Sequence, residues 1–281
     1  MILLKKIEDI RLYLIQMREK GNTIGYVPTM GALHQGHISL IINSKNTNTI
    51  TVSSIFVNPA QFNDPKDFEK YPVTLEKDIA ILEQAGCDIL FLPSVAEIYP
   101  TGFSNLQLYD LGYLETVLEG KYRQGHFQGV CQVVHRLLSI VQPHNLYIGQ
   151  KDYQQCMVIK KLIETTHLNI NVIIGSTVRE PDGLAMSSRN MRLNNEERKK
   201  AVKISEVLFF IKKEIKSGYI EDLKERAVNY LSAESIKVDY IAIATAGTLE
   251  VLENWDGKCP IVALAAVYLN EVRLIDNMLL N

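Results

Sequence analysis

The chain has 281 residues, of which 47% are apolar and 22% charged, and its formal net charge is −2. These values are typical of a globular protein with one large domain or two smaller ones, and they exclude a disordered chain. The charge balance argues against a nucleic-acid partner, and no apolar run is long enough to span a membrane. Without the apolar core of a signal peptide, we expect a cytoplasmic protein.

Strand-like and helix-like segments alternate along the first two thirds of the chain. From Ile7 to Lys20 the apolar residues recur at helical spacing, and Gly21 ends the pattern. The β-branched run Thr49–Val57 indicates a buried strand that stops at Asn58-Pro59. This alternation predicts an α/β fold with a parallel sheet. The other predicted strands are 23–27, 88–92, 145–148 and 171–174, and the other predicted helices start near 34–37 or span 75–85, 129–141 and 152–166.

The pattern changes near Thr177. Asn194 with Glu197 three residues later is typical of a capping box, and it predicts a helix to about Lys216. A helix over 220–231 and strands over 238–244, 261–269 and 272–275 follow. Helices first and strands later indicate a separate, smaller α+β domain. We therefore predict two domains, 1–176 and 177–281.

The four cysteines are scattered along the chain. Cys87, Cys131, Cys156 and Cys259 form neither a C-x-x-C pair nor a group with histidine at zinc spacing. We expect buried structural thiols and no metal site of their own.

The segment 28–37, PTMGALHQGH, lies between a predicted strand and a predicted helix. Open α/β folds bind ligands at this edge of the sheet. Gly31 and Gly36 allow close approach, and the helix start offers free N–H groups to a phosphate. His34 and His37 would share a helix face and donate hydrogen bonds, or charge if protonated, to a phosphoryl group. A metal pair or two core histidines is the alternative, but no H-E-x-x-H pattern is present.

Two further segments follow predicted strands. In 56–62, FVNPAQF, the amides of Asn58 and Gln61 can recognise a small polar substrate, or they form an Asx-type turn. In 149–155, GQKDYQQ, Lys151 can meet a phosphate, and Asp152 can cap the next helix or hold a ribose hydroxyl.

The segment 179–190, REPDGLAMSSRN, lies beside the predicted domain boundary. A Pro-Asp-Gly turn precedes two serines and an arginine, Ser187, Ser188 and Arg189. We expect this segment to be mobile and to clamp the β- and γ-phosphates of a nucleotide. Plain surface is the alternative.

Together, in this order and spacing, these segments resemble the pantothenate synthetase (pantoate–β-alanine ligase) family from about Thr23 to Asn190. His34 to His37 also matches the first signature of the wider HIGH-motif nucleotidyltransferases, which include class I aminoacyl-tRNA synthetases. Met186 to Arg189 is similar to the K-M-S-K-S loop of that group. Gln35 stands where the family has an acidic residue, and Gln124 stands where it usually has proline.

The resemblance implies a Rossmann-like, doubly wound N-terminal domain, a small C-terminal lid domain and a homodimer. It also implies a ligase that condenses pantoate with β-alanine through a pantoyl adenylate, consuming ATP with Mg²⁺ and releasing AMP and pyrophosphate. The metal would arrive with the phosphates.

By the same likeness, each candidate residue acquires a role. Catalysis by charge stabilisation would rest on His34, His37, Lys151, Ser187, Ser188 and Arg189. The ATP site would be lined by Met30, Gly31, Ala32, Leu33, His34, Gln35, Gly36, His37, Gly149, Gln150, Lys151, Asp152, Val178, Met186, Ser187, Ser188 and Arg189, and the pantoate and β-alanine site by Asn58, Gln61, Arg123 and Gln155.

Three other functions share part of this pattern. A simple nucleotidyltransferase would carry H-x-G-H but neither the FVNPAQF nor the GQKDYQQ segment. A truncated aminoacyl-tRNA synthetase would need a basic surface for tRNA, which the charge balance does not favour. A catalytically silent nucleotide-binding protein would bind ATP without releasing pyrophosphate.

Overall fold

The computed structural model describes residues 1–62, 65–104 and 106–281. Within these residues, contacts divide the chain into two compact units. The first unit comprises Met1–Gly149 and Val158–Ser176, and the second comprises Gln150–Met157 and Thr177–Asn281.

The first unit is built on a six-stranded, wholly parallel sheet. Its central strands Ile24–Thr29 and Ile50–Ile55 are buried on both faces and rich in β-branched residues, as parallel strands covered by helices must be. The strands are β1 (Ile2–Leu4), β2 (Ile24–Thr29), β3 (Ile50–Ile55), β4 (Ile89–Phe91), β5 (Asn145–Gly149) and β6 (Asn171–Gly175). The helices that begin in this unit are α1 (Ile7–Glu19), α2 (Gln35–Thr47), α3 (Pro65–Glu69), α4 (Leu75–Gln84), α5 (Val95–Ile98), α6 (Leu118–Tyr122) and α7 (His126–Val141).

The strand order of this sheet is β1-β4-β3-β2-β5-β6. After β2 the chain builds outward to one side, and from β5 it builds outward to the other. The order therefore reverses between β2 and β5, and a parallel sheet leaves a ligand crevice at the carboxyl ends of two such strands. The segment that begins at Met30 leaves the sheet at this point.

The second unit is α+β. Its main sheet has the order β11-β10-β8 and is antiparallel, and β7 pairs with β9. One face of the main sheet and both long helices contribute to a single apolar core. The elements are α9 (Asn195–Glu214), β7 (Gly218–Tyr219), α10 (Glu221–Ala233), β8 (Lys237–Thr245), β9 (Asn254–Trp255), β10 (Ile261–Leu269) and β11 (Val272–Leu279), while α8 (Tyr153–Thr165) begins in this unit and ends in the first.

The predicted α/β class and the smaller α+β unit are confirmed, and each predicted helix and strand has a counterpart. The predictions missed the short strands β1, β7 and β9 and the helices of five residues or fewer, because such short elements leave no periodicity. The predicted domain 1–176 also included 150–157, which the contacts place in the second unit. That segment bonds to a strand more than a hundred residues later, and no local pattern records such a contact.

Candidate active site

The loop after β2 is held by one buried carboxylate. Gly31 and Ala32 both have positive φ, and the N–H groups of Ala32 and Leu33 donate to Asp78 on α4, at 2.9 and 2.8 Å. Thr74 donates to the same carboxylate at 3.0 Å, and Asp78 is 1% exposed. Asp78 thus fixes the turn that leads to His34. The sequence did carry a signal for it, since an acid occupies a position on the apolar stripe of α4.

His34 and His37 meet at the start of α2 by forming its capping box. His34 is the N-cap, with an extended φ of −137°, so it lies just before the helix and not within it, but the two side chains meet on one side of the helix start, as their spacing predicted. The Nδ1 of His34 accepts from the N–H of Gly36, and the Nδ1 of His37 accepts from the N–H of His34, both at 3.2 Å. With these bonds in place, the centroids of the two imidazole rings lie 4.1 Å apart.

This arrangement assigns the imidazole protons. A ring nitrogen that accepts from an N–H carries its lone pair, so in each neutral ring the proton resides on Nε2. The N–H groups of Gly36 and His37 are engaged by His34, so the expectation that these amides are free for a phosphate is wrong. The hydrogen-bond donor of each neutral imidazole is therefore its Nε2–H group.

The two amides of the FVNPAQF segment differ in their surroundings. Asn58 is 1% exposed and bonds to Gly129, Ala60 and Tyr99, which is the predicted Asx-type alternative. Gln61 is half-buried, and its amide lies 2.8 Å from the sulfur of Met30. Sulfur is a weak acceptor, so a polar ligand would replace this contact at little cost.

Arg123 is connected to Gln61 through a histidine that the sequence reasoning did not single out. The Nδ1 of His126 bonds to the carbonyl of Gln61 at 2.7 Å, and its Nε2 lies 3.1 Å from Nη1 of Arg123. Since a carbonyl only accepts and a guanidinium only donates, His126 carries its proton on Nδ1. The signal was present in the segment Arg123–Phe127, RQGHF.

In the second unit, Lys151 lies in a single 3-10 turn, Gln150–Asp152. Lys151 is half-buried and Asp152 is exposed. The side-chain amide of Asn277 donates to the carbonyls of Gln150 and Lys151 at 2.9 and 2.7 Å. Gln155, one turn into α8, is half-buried.

The segment 179–190 is a small hairpin followed by a 3-10 turn. Arg179 bridges Ala185, and the N–H of Met186 donates to the carbonyl of Val178 at 3.0 Å. The hydroxyl of Ser187 caps the 3-10 turn Ser188–Arg192 by accepting from the N–H of Arg189. Met186, Ser187 and Arg189 are half-buried, and Ser188 is buried.

The candidate residues therefore fall into one group in each unit. The first unit brings the Met30–His37 loop together with Asn58, Gln61 and, through His126, Arg123. The second unit links the Gln150–Asp152 turn to the hairpin, through Asp276 and Asn277 of β11. The predicted strand 272–275 ended before these two residues, because an acid interrupts its apolar alternation.

The described residues provide neither a metal-binding cluster nor a membrane-spanning helix. In residues 1–62, 65–104 and 106–281, no group of three His, Cys, Asp or Glu side chains could hold a metal ion. Over the same ranges, no helix is both long and apolar enough to cross a membrane. The four cysteines are free thiols, three buried and Cys259 half-buried.

Comparisons with known proteins point to one family. The family model described as pantoate–β-alanine ligase matches residues 2–279. A protein of Cytophaga hutchinsonii named pantothenate synthetase is 45% identical over 283 residues, covering 100% of this chain and 99% of that protein. A second, from Thermotoga neapolitana, is 43% identical with full coverage of both chains.

Solved structures agree with the sequence relatives. Pantothenate synthetase from Thermus thermophilus superposes with a TM-score of 0.91 at 38% identity, covering 99% of both chains. Pantoate–β-alanine ligase from Francisella tularensis, crystallised with β,γ ATP and β-alanine, superposes with a TM-score of 0.83 at 40% identity. That match covers 99% of this chain and 97% of the other. The chain therefore belongs to the pantoate–β-alanine ligase family.

Proposed function

We propose that this chain joins pantoate to β-alanine in two steps at one site, with ATP as the activating substrate. The observation that carries the proposal is the pair of imidazoles at the start of α2. Their Nε2–H groups are donors held at the switch point of a parallel sheet, where such folds bind nucleotides.

The chemistry explains why activation is required. A carboxylate resists an amine because it is anionic and has no good leaving group. In the first step an oxygen of the pantoate carboxylate attacks the α-phosphorus of ATP, and the bond from that phosphorus to the bridging oxygen breaks to release pyrophosphate. In the second step the amine of β-alanine attacks the acyl carbon, AMP leaves, and the nitrogen loses its proton. No enzyme nucleophile is needed.

The first unit supplies the imidazole donors and the acid site. The Nε2–H groups of His34 and His37 stabilise charge on the reacting phosphate, within an ATP-binding loop that runs from Met30 to His37. The amide of Gln61 binds pantoate in place of its contact with sulfur, and Arg123 orients Gln61 through His126. Asn58 acts by shaping this turn, since its own amide is fully engaged.

The second unit supplies further contacts to the nucleotide. Lys151 and the Ser187–Arg189 segment bind the phosphates, Val178 lies near the adenine, and Asp152 lies near the ribose, as does Gly149 of the first unit. Gln155 binds pantoate. Mg²⁺ that arrives with the triphosphate would supply further positive charge for the departing pyrophosphate. We further propose that this unit acts as a lid and that the enzyme is cytoplasmic. We also propose that it is a homodimer, which sedimentation of the purified protein at two concentrations would test.

A single-turnover experiment tests the reaction order. Enzyme, labelled ATP, Mg²⁺ and pantoate without amine should yield about one equivalent of pyrophosphate per site, with the adenylate retained in a site that excludes water. Added β-alanine should then release AMP. Labelled ADP would overturn the proposal, and pyrophosphate that appears only after β-alanine is added would indicate an amine-gated reaction.

Gln61→Ala provides an internal check on the acid site. It should raise the KM for pantoate and leave the KM for ATP near its wild-type value. A change confined to the KM for ATP would contradict the assignment.

A further inference from the structure

Two consecutive residues of the last strand bond to the turn that carries Lys151 and to the first residue of the hairpin that leads to Ser187. Asp276 and Asn277 lie on β11, and they are 3% and 2% exposed. Successive side chains of a strand point to opposite faces, so the two residues reach in opposite directions from one short stretch of rigid backbone. Neither residue belongs to the segments that carry the family resemblance.

Asn277 bonds to the turn that carries Lys151. Its Nδ2 donates to the carbonyls of Gln150 and Lys151, at 2.9 and 2.7 Å, and its Oδ1 lies 3.3 Å from Nε2 of Gln150. One buried amide therefore uses both its donors and its acceptor on a single turn. The orientation of this turn decides where the Lys151 ammonium points.

Asp276 bonds to the hairpin that leads to Ser187. Arg179 meets its carboxylate with two nitrogens, at 2.6 and 3.1 Å. The same guanidinium donates to the carbonyls of Gly183 and Asn277, at 3.0 and 3.3 Å. The hairpin is thereby bonded at its first residue, Arg179, to the strand that also bonds to the Lys151 turn, and the same guanidinium bonds to the hairpin's own turn.

Stability alone does not explain this ion pair. Burial raises the pKa of Asp276, while Arg179 acts in the opposite direction. A buried ion pair generally offers little net stabilisation over apolar residues of similar size. Its position on the apolar face of β11, beside Leu274 and Met278 in the core, makes a geometric role the better explanation.

We propose that Asp276 and Asn277 are positioning residues for the first chemical step: they hold the turn that carries Lys151 and the base of the hairpin that leads to Met186–Arg189 in fixed positions relative to each other. This inference rests on the proposed function, because it assigns these segments to the phosphates. The second step, attack of an amine on an acyl adenylate, involves no pyrophosphate and should depend on these residues far less.

Asn277→Asp tests the inference with almost no change in shape. It replaces the donating NH₂ with an oxygen that faces two carbonyls. Pyrophosphate release from ATP and pantoate should slow by about 10- to 10²-fold, the effect of an ångström-scale misplacement. Pantothenate formation from supplied pantoyl adenylate and β-alanine should stay within about twofold of wild type, because that step makes no use of the displaced groups.

Asp276→Asn tests the contact between the strand and the hairpin, and Asp239→Asn is its control. Asp239 accepts from Nε of Arg273 at 2.7 Å, in a somewhat more exposed ion pair on the same sheet that involves neither segment. Asp276→Asn should slow pyrophosphate release selectively, and Asp239→Asn should not. Thermal unfolding of each variant shows whether a loss follows from misfolding.

A double-variant measurement makes the outcome decisive. If Asn277 acts through Lys151, then Asn277→Asp should slow pyrophosphate release much less in a Lys151→Ala background than in the wild type. Equal slowing of both steps, additive effects with Lys151→Ala, or equal losses from Asp239→Asn would overturn the positioning role. Failure of the wild type itself to release pyrophosphate would overturn the proposed function, and the positioning role with it.

Discussion

Two helices that follow proposed phosphate-binding segments, α2 and α9, begin with a capping box, but the two boxes are made of different residues. At α9, Asn194 accepts from the N–H groups of Glu196 and Glu197, and Glu197 accepts from the N–H of Asn194. At α2, His34 and His37 make the equivalent contacts. Asn and Glu are favoured at these positions and histidine is not. A cap made from unsuited residues indicates that their chemistry is used elsewhere.

The segments before the two helices differ in the same way. The loop before α2 is buried and bonded to Asp78, so its conformation is set before any ligand arrives. The segment before α9 is mostly half-buried, and its hydroxyl and amide side chains bond within the segment itself. One region is therefore organised for fixed contacts, and the other can reorganise around a nucleotide.

The largest effect on turnover should come from replacing the two histidines of the α2 capping box with residue types that favour such a box. His34→Asn with His37→Gln restores favoured capping groups without adding charge, while removing both imidazoles. We expect turnover to fall by at least about 10²- to 10³-fold, the usual loss for one transition-state donor. The unfolding temperature should stay near that of the wild type.

A reciprocal variant serves as the control. Asn194→His places an imidazole at the N-cap of α9 and should leave turnover unchanged. Near-normal turnover in the His34→Asn, His37→Gln variant would remove both histidines from the mechanism.

Asp78→Asn should produce the next largest effect, because it changes the buried carboxylate that holds the loop before α2. One of the buried N–H groups of Ala32 and Leu33 would face an NH₂ group, which costs about 1–3 kcal/mol of unfolding free energy. Turnover should also fall by about tenfold or more, because the displaced loop carries His34.

Asp256→Asn is the matched control for Asp78→Asn. Asp256 also accepts from two backbone N–H groups, those of Lys258 and Cys259, but on an exposed turn. Chemical denaturation and steady-state kinetics on both variants measure the comparison. Equal effects from the two substitutions would contradict a special role for the buried anchor.

Hydrogen exchange should separate the two segments without any substitution. Amides in Met186–Arg189 should exchange more slowly once ATP and Mg²⁺ are added, because the segment orders on the phosphates. The amides of Ala32 and Leu33 already donate to Asp78 and should change little. Unchanged exchange in Met186–Arg189 at saturating nucleotide would count against the proposed clamp and lid.

The smallest expected effect is on the pH dependence of stability. The N–H of Asn194 and the side chain of Asn270 hold the pKa of the Glu197 carboxyl below its usual value. A lowered pKa in the folded state means that the stabilisation is present above the unfolded pKa and is lost as pH falls through the folded one. Unfolding temperatures from neutral to acidic pH should therefore drop slightly less for Glu197→Gln than for the wild type. Parallel curves would show that the carboxylate contributes nothing.

Local sequence patterns determined most of the secondary-structure elements and one of the two capping boxes. The 3.6-residue periodicity located α1, α4, α7 and α9, and Asn194 with Glu197 marked the start of α9 because a capping box is complete within four residues. The same reasoning located the segments that follow β2 and β5, since strand ends and glycines are also local features. The box at α2 went unnoticed, because histidine is not a residue that predicts a cap.

The tertiary structure alone decided which groups those segments contact. Asp78 lies 46 residues from Ala32, and Asn277 lies 126 residues from Lys151, so no local sequence periodicity reveals either contact. The positions of the imidazole protons likewise follow from which backbone group each ring nitrogen meets. The sequence by itself determined which residues are candidates for the site and where the chain turns. Which of their atoms are already engaged depends on distant side chains that only folding brings into contact, because hydrogen bonds act over about 3 Å.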